Sequence, residues 1–515
     1  MSPTALSSQR NGVTPFRELA SIARYGAQVS RQALPVFIMI FLAAWAYYYQ
    51  SFSHHLTEDD LRLWRQVRSS SFLGITFGQA ESKFRPVSNA LLYILVKTFN
   101  TNYVAYCTFN VALLAIMAFL VWYLVRKISG SAVLGLAAAV VAIFARFAWY
   151  DVSQIYGTME AQLLILLLMM CIFVERVFRF WRPFDMIMAT IFAGLGMFAH
   201  ERLIVLSLVI AWIGLIGHWP RIRMKLILIF IALVPAILNV GIKDLIGVNF
   251  LTGTGGTTVS PSAYSLSHFA GNIVLNSVGV PWGPLYLSAT DFAVMTPAMK
   301  CISVGVAASV VLLGCLWIGS ILGKRRGRSH TRLQLTRMST WVVAYVLLVL
   351  SSSITIRVEM RWVFAPFLIL VIAIAQAISD IEVMATSARR ISQVLVGVFL
   401  AGSLVINVVA YQSLTNSFFQ DWIQKADARY DLTYGAHGEA LLVDTMYFVG
   451  GDTTFDWNAF LKPYWPSDNS VTYRYVARLS DIPTTALTSP LTLIFVYQPS
   501  IDRYVEIPAR DALGQ

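Results

Sequence analysis

The chain has 515 residues, of which 57% are hydrophobic and only 13% charged, with a mean hydropathy of +0.64. A soluble domain carries about 25% charged residues, so this balance excludes a water-solvated surface and leaves lipid to cover much of the molecule. The net charge of +12 would suggest nucleic acid in a soluble protein, but no basic stripe with interleaved aromatics lies outside the apolar runs, and no nucleic-acid partner is expected.

Eleven apolar runs are long enough to predict membrane spans. In chain order they are Ala33–Tyr49, Val104–Val125, Ala132–Tyr150, Thr158–Val177, Met186–His200, Leu203–Trp219, Leu226–Ile246, Cys301–Leu322, Trp341–Ile356, Val363–Ile378 and Ile391–Tyr411. Ala90–Phe99 is too short to cross and is expected at the interface. The fold class is therefore all-α and polytopic, with residues 33–411 forming the membrane module.

Basic residues test this map. Residues 1–32 carry Arg10, Arg17, Arg24 and Arg31, and alternate short loops hold Arg126 and Lys127, then Arg176, Arg179 and Arg182, then Arg221, Arg223 and Lys225. The series continues with the basic run from Lys324 to Arg337 and with Arg389 and Arg390. Short cytoplasmic loops are enriched in Lys and Arg, so the N-terminus is expected in the cytoplasm. With an odd number of spans, the C-terminus falls on the other side. No cleavable leader is expected, because the first apolar run is long enough to stay as an anchor.

The opposite face takes the long segments: 51–103, 247–300 and a tail of residues 412–515. The tail has β-leaning runs at Val471–Val476 and Leu491–Tyr497, and is large enough for a small α+β domain. Asp452, Asp456, Trp457 and Tyr464 give it an acidic and aromatic character that suits sugars, although surface acids on a folded domain look the same. The four cysteines, Cys107, Cys171, Cys301 and Cys315, all lie in apolar runs and read as buried small hydrophobes.

Five polar constellations fall on that same face. Glu58-Asp59-Asp60 follows the first span, where adjacent acids serve as bases or attract cations. His54 and His55 precede them at a spacing that matches no metal motif. Lys83 and Arg85 stand before the proline-started helix at Pro86, a setting suited to a phosphate or a lipid headgroup. His200-Glu201-Arg202 sits between two closely joined spans, and an ionisable residue at such a depth is a functional candidate. Arg357, Glu359 and Arg361 open the tenth span, where arginines grip phosphate oxygens. Arg146, Asp151 and Glu160 flank the short connection between the third and fourth spans. Each has an ordinary alternative as a solvated loop or a turn ion pair. Independent loops would scatter such groups over both faces, whereas these share one.

The order of these motifs resembles the GT-C superfamily, the multi-span glycosyltransferases that use polyprenyl-phosphate-linked sugars. The stretches that carry the resemblance are Asp59-Asp60, the run from Phe84-Arg85-Pro86 to Tyr93, Phe109-Asn110-Val111-Ala112-Leu113-Leu114, His200-Glu201, and Glu359-Met360-Arg361-Trp362. It covers roughly residues 30–380. The chain departs from the pattern in having no Lys before Glu201 and in placing Met360 between Glu359 and Arg361.

The resemblance implies a transferase with a polyprenyl-phosphate-sugar donor and a glycan, lipid or protein acceptor, in a bacterial inner membrane. It implies Asp59 or Asp60 as the base for the acceptor hydroxyl, and Arg361, Arg357 and Arg85 as holders of the carrier phosphate, with Lys83, Asp151, His200, Glu201 and Glu359 also lining the substrate site. No metal-ligand set is expected. The superfamily's members differ in their need for a metal, which leaves a divalent cation open. Rival readings are a flippase for lipid-linked sugars, an O-antigen polymerase or ligase, and a sensor whose tail binds a partner.

Overall fold

The computed structural model describes residues 33–78, 84–247, 263–282, 292–322, 328–354, 360–381, 386–413, 427, 445–451, 472–489, 492–498 and 503–507. Among the described residues, eight helices are long and apolar enough to cross a membrane: α1 (Ala33–Ser53), α5 (Tyr103–Ser129), α8 (Gly157–Phe180), α11 (Ile222–Leu245), α13 (Pro297–Leu322), α14 (Arg328–Ser353), α15 (Phe364–Ile381, with the turn Met360–Val363 before it) and α16 (Thr386–Ser413). A ninth is a bent pair, α6 (Ala132–Ile143) with the segment Arg146–Ser153, which contains the short helix α7 (Trp149–Ser153). The two halves meet at 47°. The sequence predicts one continuous span over Ala132–Tyr150; the chain instead leaves the helix at Phe144 and re-enters it through a 3-10 turn, Arg146–Ala148.

Shorter helices complete the bundle. α2 (Glu58–Arg68), α3 (Phe72–Phe77) and α4 (Pro86–Phe99) follow the first span. α9 (Pro183–Ala199) and α10 (Leu206–Ile216) are joined by the 3-10 turn Glu201–Val205. α12 (Ala263–Ser277) is a helix inside what the sequence presents as a loop.

Local chemistry sets many of these ends. Asn102 and Ser131 accept hydrogen bonds from Ala105 and Leu134 at the starts of α5 and α6. Such caps satisfy backbone donors that a helix leaves unpaired. Pro86 and Pro183 stand in the first turns of α4 and α9, where a missing N–H costs nothing. Gly130 closes α5 with a φ of +74°, a left-handed conformation that glycine adopts without strain.

The apolar core runs through the spans. Cys107 and Cys171 are buried in it as expected, but Cys301 and Cys315 lie exposed on α13. The sequence could not distinguish a helix face turned to lipid from one turned inward, since both are apolar.

The tail forms a four-stranded sheet in the order β2-β1-β3-β4, with β1 (Thr445–Val449), β2 (Thr472–Val476), β3 (Thr492–Gln498) and β4 (Arg503–Ile507). β1 pairs in parallel with β2 and β3, and β3 pairs antiparallel with β4. Alternation along β1 gives each face its own core. Met446 and Phe448 join Phe495 against Leu56, Leu61 and Val67 of the first loop, while Tyr447 and Val449 pack with Ile482. One face of the sheet therefore shares an apolar core with α2, α4 and the start of α5, at the same end of the bundle as the acidic triplet. A second tie reaches the same place: the Asp427 carboxylate lies 2.7 Å from His54 Nδ1 and accepts the His55 backbone N–H at 2.8 Å. Asp452, Asp456, Trp457 and Tyr464 lie outside the described residues.

Candidate functional site

The acidic triplet begins α2. Thr57 and Asp60 form a reciprocal capping box, with Thr57 Oγ1 donating to Asp60 Oδ2 at 2.9 Å and the Thr57 N–H at 3.2 Å. The other oxygen, Oδ1, accepts the Ile155 N–H at 2.9 Å. Asp60 is fully buried. Burial, the largest influence, pushes its pKa up to about 7 against the lowering effect of those bonds, and the neighbouring Asp59 charge adds to the rise. The sequence presents Asp59 and Asp60 as equivalent bases. Both oxygens of Asp60 are committed to Thr57 and Ile155, whereas Asp59 is exposed.

Ile155 lies in the turn between α7 and α8, so Asp60 ties the first loop to the segment carrying Asp151 and Glu160. Asn110 fastens that segment from α5. Its side-chain amide donates to the Gln154 carbonyl at 2.8 Å, and its oxygen accepts from Thr158 Oγ1 at 2.6 Å. Ser88 of α4 donates to Gln162 and to the Ala199 carbonyl, each at 3.0 Å, which brings α4 against α8 and the end of α9. At Gly157 an added Cβ would lie 2.2 Å from the Asp151 carbonyl oxygen, a backbone contact that requires glycine.

These ties bring four distant segments together. Arg85, at the start of α4, donates to Glu201 through Nε at 2.7 Å and Nη2 at 2.6 Å, a bidentate pair. Burial raises the Glu201 pKa, but the Arg85 charge and hydrogen bond, with the charge of Lys243 behind, outweigh it and hold it at about 2. Arg202 Nη2 reaches both oxygens of Glu160, at 2.6 and 2.5 Å. Arg361 Nε lies 3.6 Å from the same carboxylate, and its guanidinium stacks 3.9 Å above the Tyr150 ring. Arg202 lies 5.0 Å over Trp362. His200 is fully buried; its Nδ1 accepts the Arg202 N–H at 3.3 Å, and its Nε2 lies 3.9 Å from Glu160.

Asp151 stands apart. It is 1% exposed, and neither carboxylate oxygen has a hydrogen-bond partner. The charges of Glu160, Arg361 and Arg202 act on it. A buried carboxylate without a donor is costly, so its surroundings invite a ligand or water.

Of the residues that the sequence singles out, Arg85, Asp151, His200, Glu201 and Arg361 thus gather with Glu160 and Arg202. Asp60 is linked to them through the Ile155 tie, and Asp59 is its exposed neighbour on α2. Lys83, Arg357 and Glu359 lie outside the described residues. Sequence reasoning missed Lys243 and Asn239, one turn apart on α11. Lys243 is buried and its charge reaches Glu201 and Arg85; Asn239 is buried with neither side-chain polar atom partnered. The available signal was two polar residues spaced i, i+4 in a run of mean hydropathy 2.4. Tyr150 and Trp362, the aromatic platforms under the arginines, were likewise hidden among apolar residues.

Among the described residues no group of three or more His, Cys, Asp or Glu side chains is arranged to hold a metal ion. Arginines, carboxylates and aromatic rings gathered beside apolar helices suit a ligand with both an anionic and a hydroxylated part. The sequence matches no protein-family model, and no curated protein matches it.

Proposed function

We propose that the chain is a membrane glycosyltransferase of the GT-C kind, moving a sugar from a polyprenyl-phosphate-linked donor to an acceptor on the extracytoplasmic side. The observation that carries this reading is the gathering of Arg85, Asp151, Glu160, Glu201, Arg202 and Arg361, from four sequence-distant segments, at one end of a lipid-embedded bundle. In this reading the bundle crosses eleven times, with α9 and α10 as two short spans joined at His200-Glu201-Arg202.

The chemistry follows from the residue types. Asp59, exposed beside the cluster, takes the proton of the acceptor hydroxyl. The acceptor oxygen bonds to the anomeric carbon as the sugar–phosphate C–O bond breaks. The carrier leaves as a phosphate monoester, whose growing charge needs cations in a low-dielectric setting. In this reading Arg361 and Lys243 meet that charge, while Arg85 and Arg202 are held in place by Glu201 and Glu160. Asp60 then has a positioning role, fixing the Asp151–Glu160 segment. In this reading the C-terminal sheet, which shares an apolar core with α2 and α4, stands beside the acceptor's approach.

The test is sugar transfer in membranes supplied with a polyprenyl-phosphate sugar. Asp59→Asn should lower transfer by about 10²-fold or more with the protein folded. Normal transfer from Asp59→Asn removes the acid–base assignment. The bent span at Phe144–Ala145 favours a second reading, since transporters use broken helices at their substrate sites. A flippase moves lipid-linked sugar across vesicles and forms no acceptor product.

A further inference from the structure

At the break between α6 and α7, Arg146 is 1% exposed. Its Nη2 donates to Asn276 Oδ1 at 2.7 Å, and its guanidinium lies 4.9 Å from the Phe147 ring centroid. Its Nε–H has no acceptor, and among the described residues no carboxylate lies within ion-pair distance. Every other side chain that binds it or its backbone is neutral. Asn407 of α16 accepts the Arg146 N–H at 3.3 Å, and Asn276 itself is held by the carbonyls of Asn272 and Trp282, both at 2.8 Å.

Contrast decides what this means. Arg85 and Arg202, equally buried, each have a carboxylate partner. A buried cation is costly unless paired, and a bundle that supplies carboxylates to two arginines has left the third to amides. Asp151 stands five residues away, also unpartnered, and the two do not pair with each other. An ionisable group inside a membrane span is a functional candidate by default, and its partner must be named. Here the missing partner is an anion. Arg146 lies one helical turn before Tyr150, on which Arg361 stacks, and its neighbour Phe147 packs 6.0 Å from Phe364.

We infer that Arg146, framed by Asn276 and Asn407 at the break in the bent span, is an anion-binding residue that receives a phosphate-class group of the ligand. A guanidinium fork matches two phosphate oxygens at once, and the Asn407 amide N–H can donate to a third without adding charge, while Asn276, its own N–H groups committed to the Asn272 and Trp282 carbonyls, holds the guanidinium in place. The inference rests on the transferase reading only for the name of the carrier; the binding itself requires neither sugar nor acceptor.

The experiment is thermal unfolding of the full-length protein in neutral detergent, titrated with inorganic phosphate or with a short-chain polyprenyl phosphate, against chloride at equal ionic strength. A ligand that binds only the folded state raises Tm with concentration. Wild-type Tm is expected to rise with one or both. A response at lower concentration with the lipid phosphate assigns the headgroup, and an equal response assigns free phosphate. Arg146→Gln should weaken binding about tenfold or more, and Arg146→Lys should keep part of it. Asn276→Asp supplies an internal counter-ion without removing the arginine, so it should raise Tm in the absence of phosphate and abolish the response. The inference is overturned if wild type responds to neither phosphate, or if Arg146→Gln or Asn276→Asp keeps the full response. Loss of sugar transfer in Asp59→Asn leaves this result untouched, so the two readings fail separately.

Discussion

Replacing Glu201 with Gln tests whether the site's ion pairs hold the fold together at this end. Glu201 accepts two short hydrogen bonds from Arg85, whose side chain is 8% exposed against 16% for Glu201. Its pKa is held at about 2 against an ordinary value of 4.5. At about 1.4 kcal/mol per pH unit, that difference corresponds to about 3 kcal/mol at neutral pH. Breaking a buried pair by removing one partner costs about 3–5 kcal/mol, because the other charge is left stranded, so the two routes agree. Because the folded-state pKa is depressed, this stability is fully present above pH 4.5 and is lost as pH falls towards 2. Equilibrium unfolding in mixed micelles titrated with SDS should therefore place Glu201→Gln about 3 kcal/mol below wild type at pH 7. The gap should close as pH falls below the ordinary glutamate value. The double variant Arg85→Met with Glu201→Leu should recover much of the loss, since it leaves no buried charge unpaired. A loss below about 0.5 kcal/mol in the single variant, typical of a surface pair, would refute the reasoning, as would a double variant no better than the single one.

Three further outcomes follow from the same geometry. Asp60, with its pKa pushed up to about 7, binds a proton more readily in the folded state, so its contribution to stability falls as pH rises from about 4 to 7; Asp60→Asn should flatten that part of the pH–stability curve, which unfolding at a series of pH values measures. Gly157→Ala would place a methyl group 2.2 Å from the Asp151 carbonyl oxygen, which must shift the segment; transfer should fall sharply while Gly314→Ala, in open space on α13, leaves it unchanged. Phe448→Ala removes a fully buried ring stacked 5.2 Å from Phe495 and should destabilise the sheet by about 3–5 kcal/mol, read as earlier proteolysis of the tail than of the spans.

Eight of the eleven predicted spans were legible because a membrane segment must be apolar along its length; the third is a bent pair, and the fifth and sixth are the short helices α9 and α10, which fall below the length of a crossing helix. The strands at Thr472–Val476 and Thr492–Gln498 were legible from β-branched and aromatic runs. The bend after Ile143 was not, since Phe144-Ala145 is as apolar as its flanks and carries neither glycine nor proline. The contacts that build the site are non-local, joining residue 60 to 155, 85 to 201 and 160 to 361. Sequence position gives no account of such pairing. Ser88 and Asn110 drew notice as parts of two sequence motifs; their visible work is to bind α4, α5, α8 and α9 to one another. Asp59 and Asp60 are identical in chemistry, and only the direction each takes from α2 separates a tie from an exposed carboxylate.

That separation extends to the whole site. Arg85, Glu201, Arg202, Glu160 and Asp60 each make short bonds to partners within the chain. A ligand would have to break those bonds before engaging them, and the gain would be small. Asp151, Arg146 and Asn239 make few or none with their buried polar atoms, although each lies within the apolar bundle. For these the cost of desolvation has already been met in folding, so a ligand that supplies the missing partner gains nearly the full strength of each bond. Preorganised but unsatisfied groups are where binding free energy is greatest, and a frame of satisfied ion pairs is what keeps them from collapsing onto one another. The frame fixes geometry, and the unsatisfied set defines what a guest would have to supply: an anion beside Arg146, and a hydrogen-bond donor beside Asp151.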